Sequence, residues 1–167
     1  MIADIYWLKE FPHGRIGTMA RPRGGDWLED EVVSWKTAGV GVVASALTDS
    51  EMRELDIQDE ARFCKAQDIE FRRFPITDIG IPSSMPEWSL FIHSLKVAVV
   101  SGTPVVAHCR MGIGRASMIA TSLMVSFGVD TAQAFQWMSE ARGLAVPDTE
   151  NQIDWVAKFA AYLVTRG

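Results

Sequence analysis

Residues 105–127 read as a short β-branched run, then a turn carrying two glycines, then a long segment that is apolar on nearly every side. A helix of that last kind has no polar face to give to water, so it belongs at the centre of a core. A buried strand feeding directly into such a helix calls for a sheet with further helices around it. This requirement narrows the choice of fold more than any other stretch of the chain.

The rest of the sequence is consistent with that frame. Asp26 is expected to cap a helix that presents Leu28, Val32 and Trp35 at helical spacing and ends at Gly39, and residues 40–47 read as a buried strand. A helix is predicted over residues 57–67, with Ile57, Ala61 and Cys64 on one stripe, followed by a strand over 69–74 that Pro75 closes. Gly80 and Pro82 mark a loop, and Pro86 opens a helix running to Gly102. After the strand at 104–107 and the helix at 115–127, two more helices are predicted, at 132–142 capped by Thr131 and at 150–164. Residues 5–19 are assigned a strand pair at the sheet edge. The predicted fold class is α/β, with a central, largely parallel sheet flanked by helices on both faces. At 167 residues, without a repeat or a linker, the chain is expected to form one domain over 1–167.

Charge and cysteine content narrow the function classes. The net charge is -5 and no run of Lys or Arg is long enough to follow a nucleic-acid backbone or an anionic bilayer, so neither nucleic acid nor membrane is expected as a partner. Two cysteines make no disulfide framework, and the first residues lack the pattern of a signal peptide, which together suggest a cytoplasmic setting. The oligomeric state is not legible.

The chemistry concentrates in residues 108–115: His108, Arg110, Met111, Gly112, Ile113, Gly114 and Arg115 are assigned to substrate binding around Cys109, with His108 expected to hold the loop and the thiolate through hydrogen bonds rather than to transfer protons. The glycines let the backbone turn tightly and aim several N–H groups inward at the start of a helix, which makes a concave anion site suited to phosphate. Helix N-termini and nearby cations favour a thiolate, so Cys109 is expected to act as an anionic nucleophile. Arg115 offers a planar fork of donors matched to two phosphate oxygens. In this context the bland alternative, an inert core cysteine beside a core histidine, explains neither the glycines nor the arginine. Cys64, on its apolar helical stripe, is assigned to core packing.

This segment resembles the signature of the cysteine-based protein tyrosine phosphatase superfamily: His-Cys, five residues, then Arg, with glycines in the loop. The short chain looks most like the small dual-specificity branch. The resemblance implies a phosphocysteine mechanism without metal or cofactor, acting on a phosphorylated protein or a small phosphate ester. It implies that Asp78, in a Phe-Pro-Ile-Thr-Asp segment about thirty positions before Cys109, is the general acid. Asp49, Asp68 and Glu87 are weaker candidates for that role. It also implies that Gln152 orients the hydrolytic water, although Thr149 and Gln152 equally fit a capping box for the last helix. The stretch Arg21-Pro22-Arg23-Gly24-Gly25 reads either as a flank to the anion site or as a solvated turn.

One position departs from the family pattern: the residue after the signature arginine, normally Ser or Thr, is Ala116. Two other functions remain open on sequence grounds. One is a rhodanese-like sulfur-transfer or arsenate-reductase enzyme, and the other is a weakly active pseudophosphatase that binds phosphoproteins.

Overall fold

The computed structural model describes residues 1–9 and 11–166; Glu10 and Gly167 lie outside the described residues. Five strands form one sheet: β1 (Tyr6–Trp7), β2 (Ile16–Met19), β3 (Val42–Ser45), β4 (Glu70–Arg73) and β5 (Val105–His108), in the spatial order β1-β2-β5-β3-β4. β1 runs antiparallel to β2, and the pairs β2–β5, β3–β5 and β3–β4 are parallel. Among the described residues there are seven α-helices, α1 (Leu28–Thr37), α2 (Asp49–Glu54), α3 (Glu60–Ala66), α4 (Met85–Val100), α5 (Arg115–Ser126), α6 (Thr131–Arg142) and α7 (Glu150–Arg166).

The period-two alternation of the central strands divides the core. Val42, Ala44, Val105 and Ala107 turn toward residues of α4 to α7, including Trp88, Ile92, Ile119, Leu123, Phe135 and Phe159. Val43 and Val106 turn the other way, onto Leu28, Val32 and Trp35 of α1 and Cys64 of α3. Helices therefore cover both faces, as the strand–helix alternation predicts. Every residue of α5 from 115 to 125 is buried, and each large apolar side chain in it contributes roughly 1.5–3 kcal/mol. Among the described residues, no helix is long and apolar enough to cross a membrane.

Several local expectations are corrected. Asp26 does not cap α1; it sits in a 3-10 turn, Gly25–Trp27, and Gly25 N–H donates to the Asp56 carbonyl at 2.9 Å, so a tertiary bond sets the entry to the helix. Thr131 is the first residue of α6 rather than its cap, which is Asp130. The second half of the supposed edge pair, β2, is interior, with β5 beside it in parallel register. The helix expected over 57–67 starts three residues later, at Glu60. A helix absent from the sequence reading, α2, follows β3 and begins with a reciprocal capping box between Thr48 and Glu51.

Candidate active site

Parallel α/β sheets gather their loops at the carboxyl ends of the strands, and the signature segment leaves the carboxyl end of β5 there. Gly112 adopts φ +74, which an L side chain rarely tolerates, and a Cβ on it would lie 2.7 Å from the Met19 carbonyl carbon and oxygen. Glycine is thus required twice over, by the backbone angle and by the approach of β2. Gly114 ends the loop against the carboxylate of Asp148 and, at 3.1 Å from its built Cβ position, the side-chain nitrogen of Gln152. The backbone of Arg21 donates to the Arg110 carbonyl at 3.2 Å, which ties the Arg21–Gly25 segment to the loop, while Arg23 lies in an exposed pair with Glu31.

Cys109 is buried at the head of the loop and Arg115 is the first residue of α5, also buried. Each terminal nitrogen of Arg115 makes two bonds. Nη1 donates to Glu51 Oε1 at 2.7 Å and to the Ile76 carbonyl at 2.8 Å; Nη2 donates to Glu51 Oε2 at 2.9 Å and to Asp78 Oδ1 at 3.1 Å. Burial opposes the charge of the guanidinium, but Glu51, Cys109 and Asp78 outweigh it and hold the group more firmly protonated than an ordinary arginine. Burial likewise raises the Glu51 carboxyl, and the bonds from Arg115 and Thr48 overcome that and bring it down to about 2. Arg110 adds a further cation, bonded to Glu54 at 3.0 Å and to Glu51 at 3.4 Å.

Asp78 reaches this cluster from an exposed loop. Its Oδ1 accepts from Arg115 and also from the Ile79 backbone at 2.9 Å, so it both shapes its own turn and contacts Arg115. Ile79 has φ +54, a strained angle for a β-branched residue that costs on the order of 1–3 kcal/mol. Of the other acids considered for the same role, Asp49 is paired with Arg73 at 2.8 Å and Glu87 lies in the first turn of α4.

Gln152 forms the capping box: its N–H donates to Thr149 Oγ1 at 3.2 Å, and its Oε1 accepts from the Thr149 and Asp148 backbones. Its Nε2 spans to the Gly80 carbonyl at 3.1 Å, so the same side chain links the start of α7 to the loop that bears Asp78. His108 is fully buried. Its Nδ1 lies 3.2 Å from the Cys109 carbonyl oxygen and its Nε2 lies 2.6 Å from Glu60 Oε2, which leaves no ring nitrogen free for a ligand. The expectation that His108 binds substrate is replaced by a place beneath the loop.

Sequence reasoning missed Glu51, Glu60 and the contact from Arg142 Nη2 to the Met111 carbonyl at 3.4 Å. Glu51 had a readable signal in Thr48-x-x-Glu51; Glu60 had none. Cys64 is buried among apolar residues, and burial together with the nearby Glu60 pushes its thiol far above the usual range. Among the described residues, no group of three or more His, Cys, Asp and Glu side chains is arranged to hold a metal.

A family model described as "Polymorphic toxin system, DSP-PTPase phosphatase" matches residues 16–129. No curated protein matches the chain in sequence. Among solved structures, the chain is similar to kinase associated phosphatase with its catalytic-site cysteine substituted by serine: TM-score 0.85, 17% identity, covering 98% of this chain and 97% of that one. It is similar to PTPMT1 in complex with PI(5)P, with TM-score 0.75 and 16% identity over 93% and 95% of the two chains. Tk-PTP in the active form gives TM-score 0.73 and 18% identity over 93% and 97%. At these identities the likeness is one of fold.

Proposed function

The chain belongs to the dual-specificity-type phosphatase family of polymorphic toxin systems, and we propose that it hydrolyses phosphate monoesters in two steps through a phosphocysteine. Membership in a phosphatase family sets aside the sulfur-transfer reading. Cys109 Sγ attacks phosphorus, the bond from phosphorus to the leaving oxygen breaks, and Asp78 supplies the proton that this oxygen takes. Water then attacks the phosphocysteine, Asp78 takes back a proton, and the Cys109 thiolate leaves with inorganic phosphate as product. The backbone N–H groups of residues 110–115 and the Arg115 guanidinium stabilise the charge on the transferring group. Gln152, which links the start of α7 to the Asp78 loop, places the water. No step calls for a metal or cofactor.

The observation that carries this reading is the convergence of Asp78 and Glu51 on Arg115, at the start of the helix that the Cys109 loop opens. The substrate we favour is a phosphoprotein in a cytoplasmic setting, with tyrosine or dual specificity. The loop interior, Arg110 to Gly114, lacks the lysine that would favour a phosphoinositide, and exposed Met111 on that loop, with Ile79 and Leu144 on other loops, offers an apolar rim to a peptide. The test is Cys109→Ser, which keeps the cradle but supplies a far weaker nucleophile. Hydrolysis of para-nitrophenyl phosphate is expected to vanish while vanadate still binds, and near wild-type turnover in this variant overturns the reading.

A second reading, a module that binds phosphoproteins without turning them over, rests on Ala116. Tight phosphopeptide binding by the unmodified chain with no phosphate release decides for it.

A further inference from the structure

His108 and Glu60 form a closed pair under the signature loop, both 0% exposed, with Nε2 and Oε2 separated by 2.6 Å. The opposite ring nitrogen, Nδ1, faces the carbonyl oxygen of Cys109, which can only accept. That contact is a hydrogen bond only if Nδ1 carries a proton. Nε2 then either carries a second proton, with Glu60 as carboxylate, or accepts one from a protonated Glu60. In both arrangements Nδ1–H is kept while Nε2 is bonded to Glu60, and the short separation suits the charged form. The other oxygen, Glu60 Oε1, is buried and has no hydrogen-bond partner among the described residues. A buried polar atom left unpartnered costs roughly 1–3 kcal/mol, so the carboxylate is poorly explained as a stabilising contact alone.

We propose that Glu60 is a positioning residue for the nucleophile: by sharing a proton with His108 it fixes the Cys109 carbonyl, and so the head of the loop that carries the Cys109 thiol, against a buried ion pair. The inference rests on the reading of Cys109 as nucleophile. The ring is packed by Trp35 of α1, with centroids 6.3 Å apart, and His108 is in register with Met19 of β2 and Ser45 of β3. The charged groups that act on it are Glu60 and Arg115, with the Cys109 backbone carbonyl bonded to its ring; Cys64 of α3, which Glu60 and burial hold in the thiol form, adds no charge. Burial disfavours a charged ring and Arg115 opposes it, but the charge and bond of Glu60 and the Cys109 carbonyl prevail, so His108 holds its proton above the usual histidine range.

The experiment is the pH dependence of iodoacetate alkylation at Cys109, with the labelled residue located by mass spectrometry. Glu60→Gln preserves shape, but an amide leaves only one proton for the two ring nitrogens, and the ion pair is lost. A nearby charge moves a titration by roughly 1–3 units, and here the buried counter-charge of Glu60 and the indirect route through the Cys109 backbone bring the effect to the low end. Alkylation on the acidic limb is therefore expected to slow about tenfold in Glu60→Gln while the alkaline plateau is unchanged. His108→Asn is expected to reproduce that shift, and Glu60→Gln in that background to add nothing. An unchanged profile shows Glu60 to be structural only, and faster acidic alkylation shows it to act as a bare anion; either overturns the proposal. If Glu60→Gln does not fold, an unchanged profile in His108→Asn overturns it equally. Whether wild-type labelling at Cys109 abolishes turnover tests the nucleophile assignment separately.

Discussion

Glu51 accepts from both terminal nitrogens of Arg115, Oε1 from Nη1 at 2.7 Å and Oε2 from Nη2 at 2.9 Å, so a residue 64 positions away sets the plane of the guanidinium. With Ile76 and Asp78 taking the remaining terminal N–H groups, the fork is held in place, and under the proposed function a phosphate takes over the bond now made to the exposed Asp78. Without Glu51, a buried cation loses its main counter-charge.

Glu51→Gln is expected to lower kcat/KM about 100-fold, the scale of loss when a positioned group shifts by about 1 Å. It is also expected to change the acid sensitivity of the fold. The Glu51 carboxyl falls from its ordinary 4.5 to about 2 on folding. Its contribution is therefore fully present above 4.5 and is lost as the pH falls toward 2, about 3 kcal/mol in all. Urea unfolding at pH 7 and pH 3 checks this: the wild type loses more stability than Glu51→Gln across that interval. A lower KM with unchanged kcat in the variant would mean instead that Glu51 competes with substrate for Arg115.

Asp78→Asn separates acid catalysis from loop structure. The side chain both bonds Ile79 and contacts Arg115, so either role alone would explain its presence. If Asp78 protonates the departing oxygen, alkyl phosphates lose roughly 10²- to 10⁴-fold in turnover, and para-nitrophenyl phosphate, whose leaving oxygen needs little help, loses less than about tenfold. Equal losses on the two substrates would assign Asp78 to the turn.

These residues differ in how readable they were. The β5–turn–α5 unit carried redundant signals: β-branched residues, glycines, an all-round apolar helix and a spaced Cys and Arg. Glu51 was signalled only by a capping box, on a six-residue helix with one buried apolar side chain, Met52, too little for periodicity to register. Glu60 meets His108 across 48 positions, an approach that no local pattern encodes. The interior place of β2 was hidden for a related reason. Its sequence, Ile16-Gly17-Thr18-Met19, is not a hydrophobic run, and Gly17 is tolerated because β1 packs onto it, with Ile5 and Trp7 side chains 3.0 Å from where a Cβ would stand.

Ala116 bears on the second chemical step. It is fully buried one residue after Arg115, where the resemblance implies a Ser or Thr, whose hydroxyl under the proposed mechanism would donate to the thiolate leaving the phosphocysteine. The next hydroxyl along, Ser117 Oγ, is also buried and has no hydrogen-bond partner among the described residues, so it does not take over that bond. A neighbour in a helix is turned by about 100°, which accounts for the miss. A hydrogen bond to a charged group is worth about 1.5–3 kcal/mol, so hydrolysis of the intermediate is expected to be slowed about 10- to 100-fold. Rapid mixing with para-nitrophenyl phosphate is then expected to give a burst of nitrophenol followed by a slow steady state. Ala116→Ser is expected to raise the steady rate and shrink the burst, because a serine hydroxyl in this helix position restores the donor. Absence of a burst, with an unchanged rate in Ala116→Ser, would show that breakdown of the phosphocysteine does not limit turnover and that a water or a backbone N–H already serves the departing thiolate.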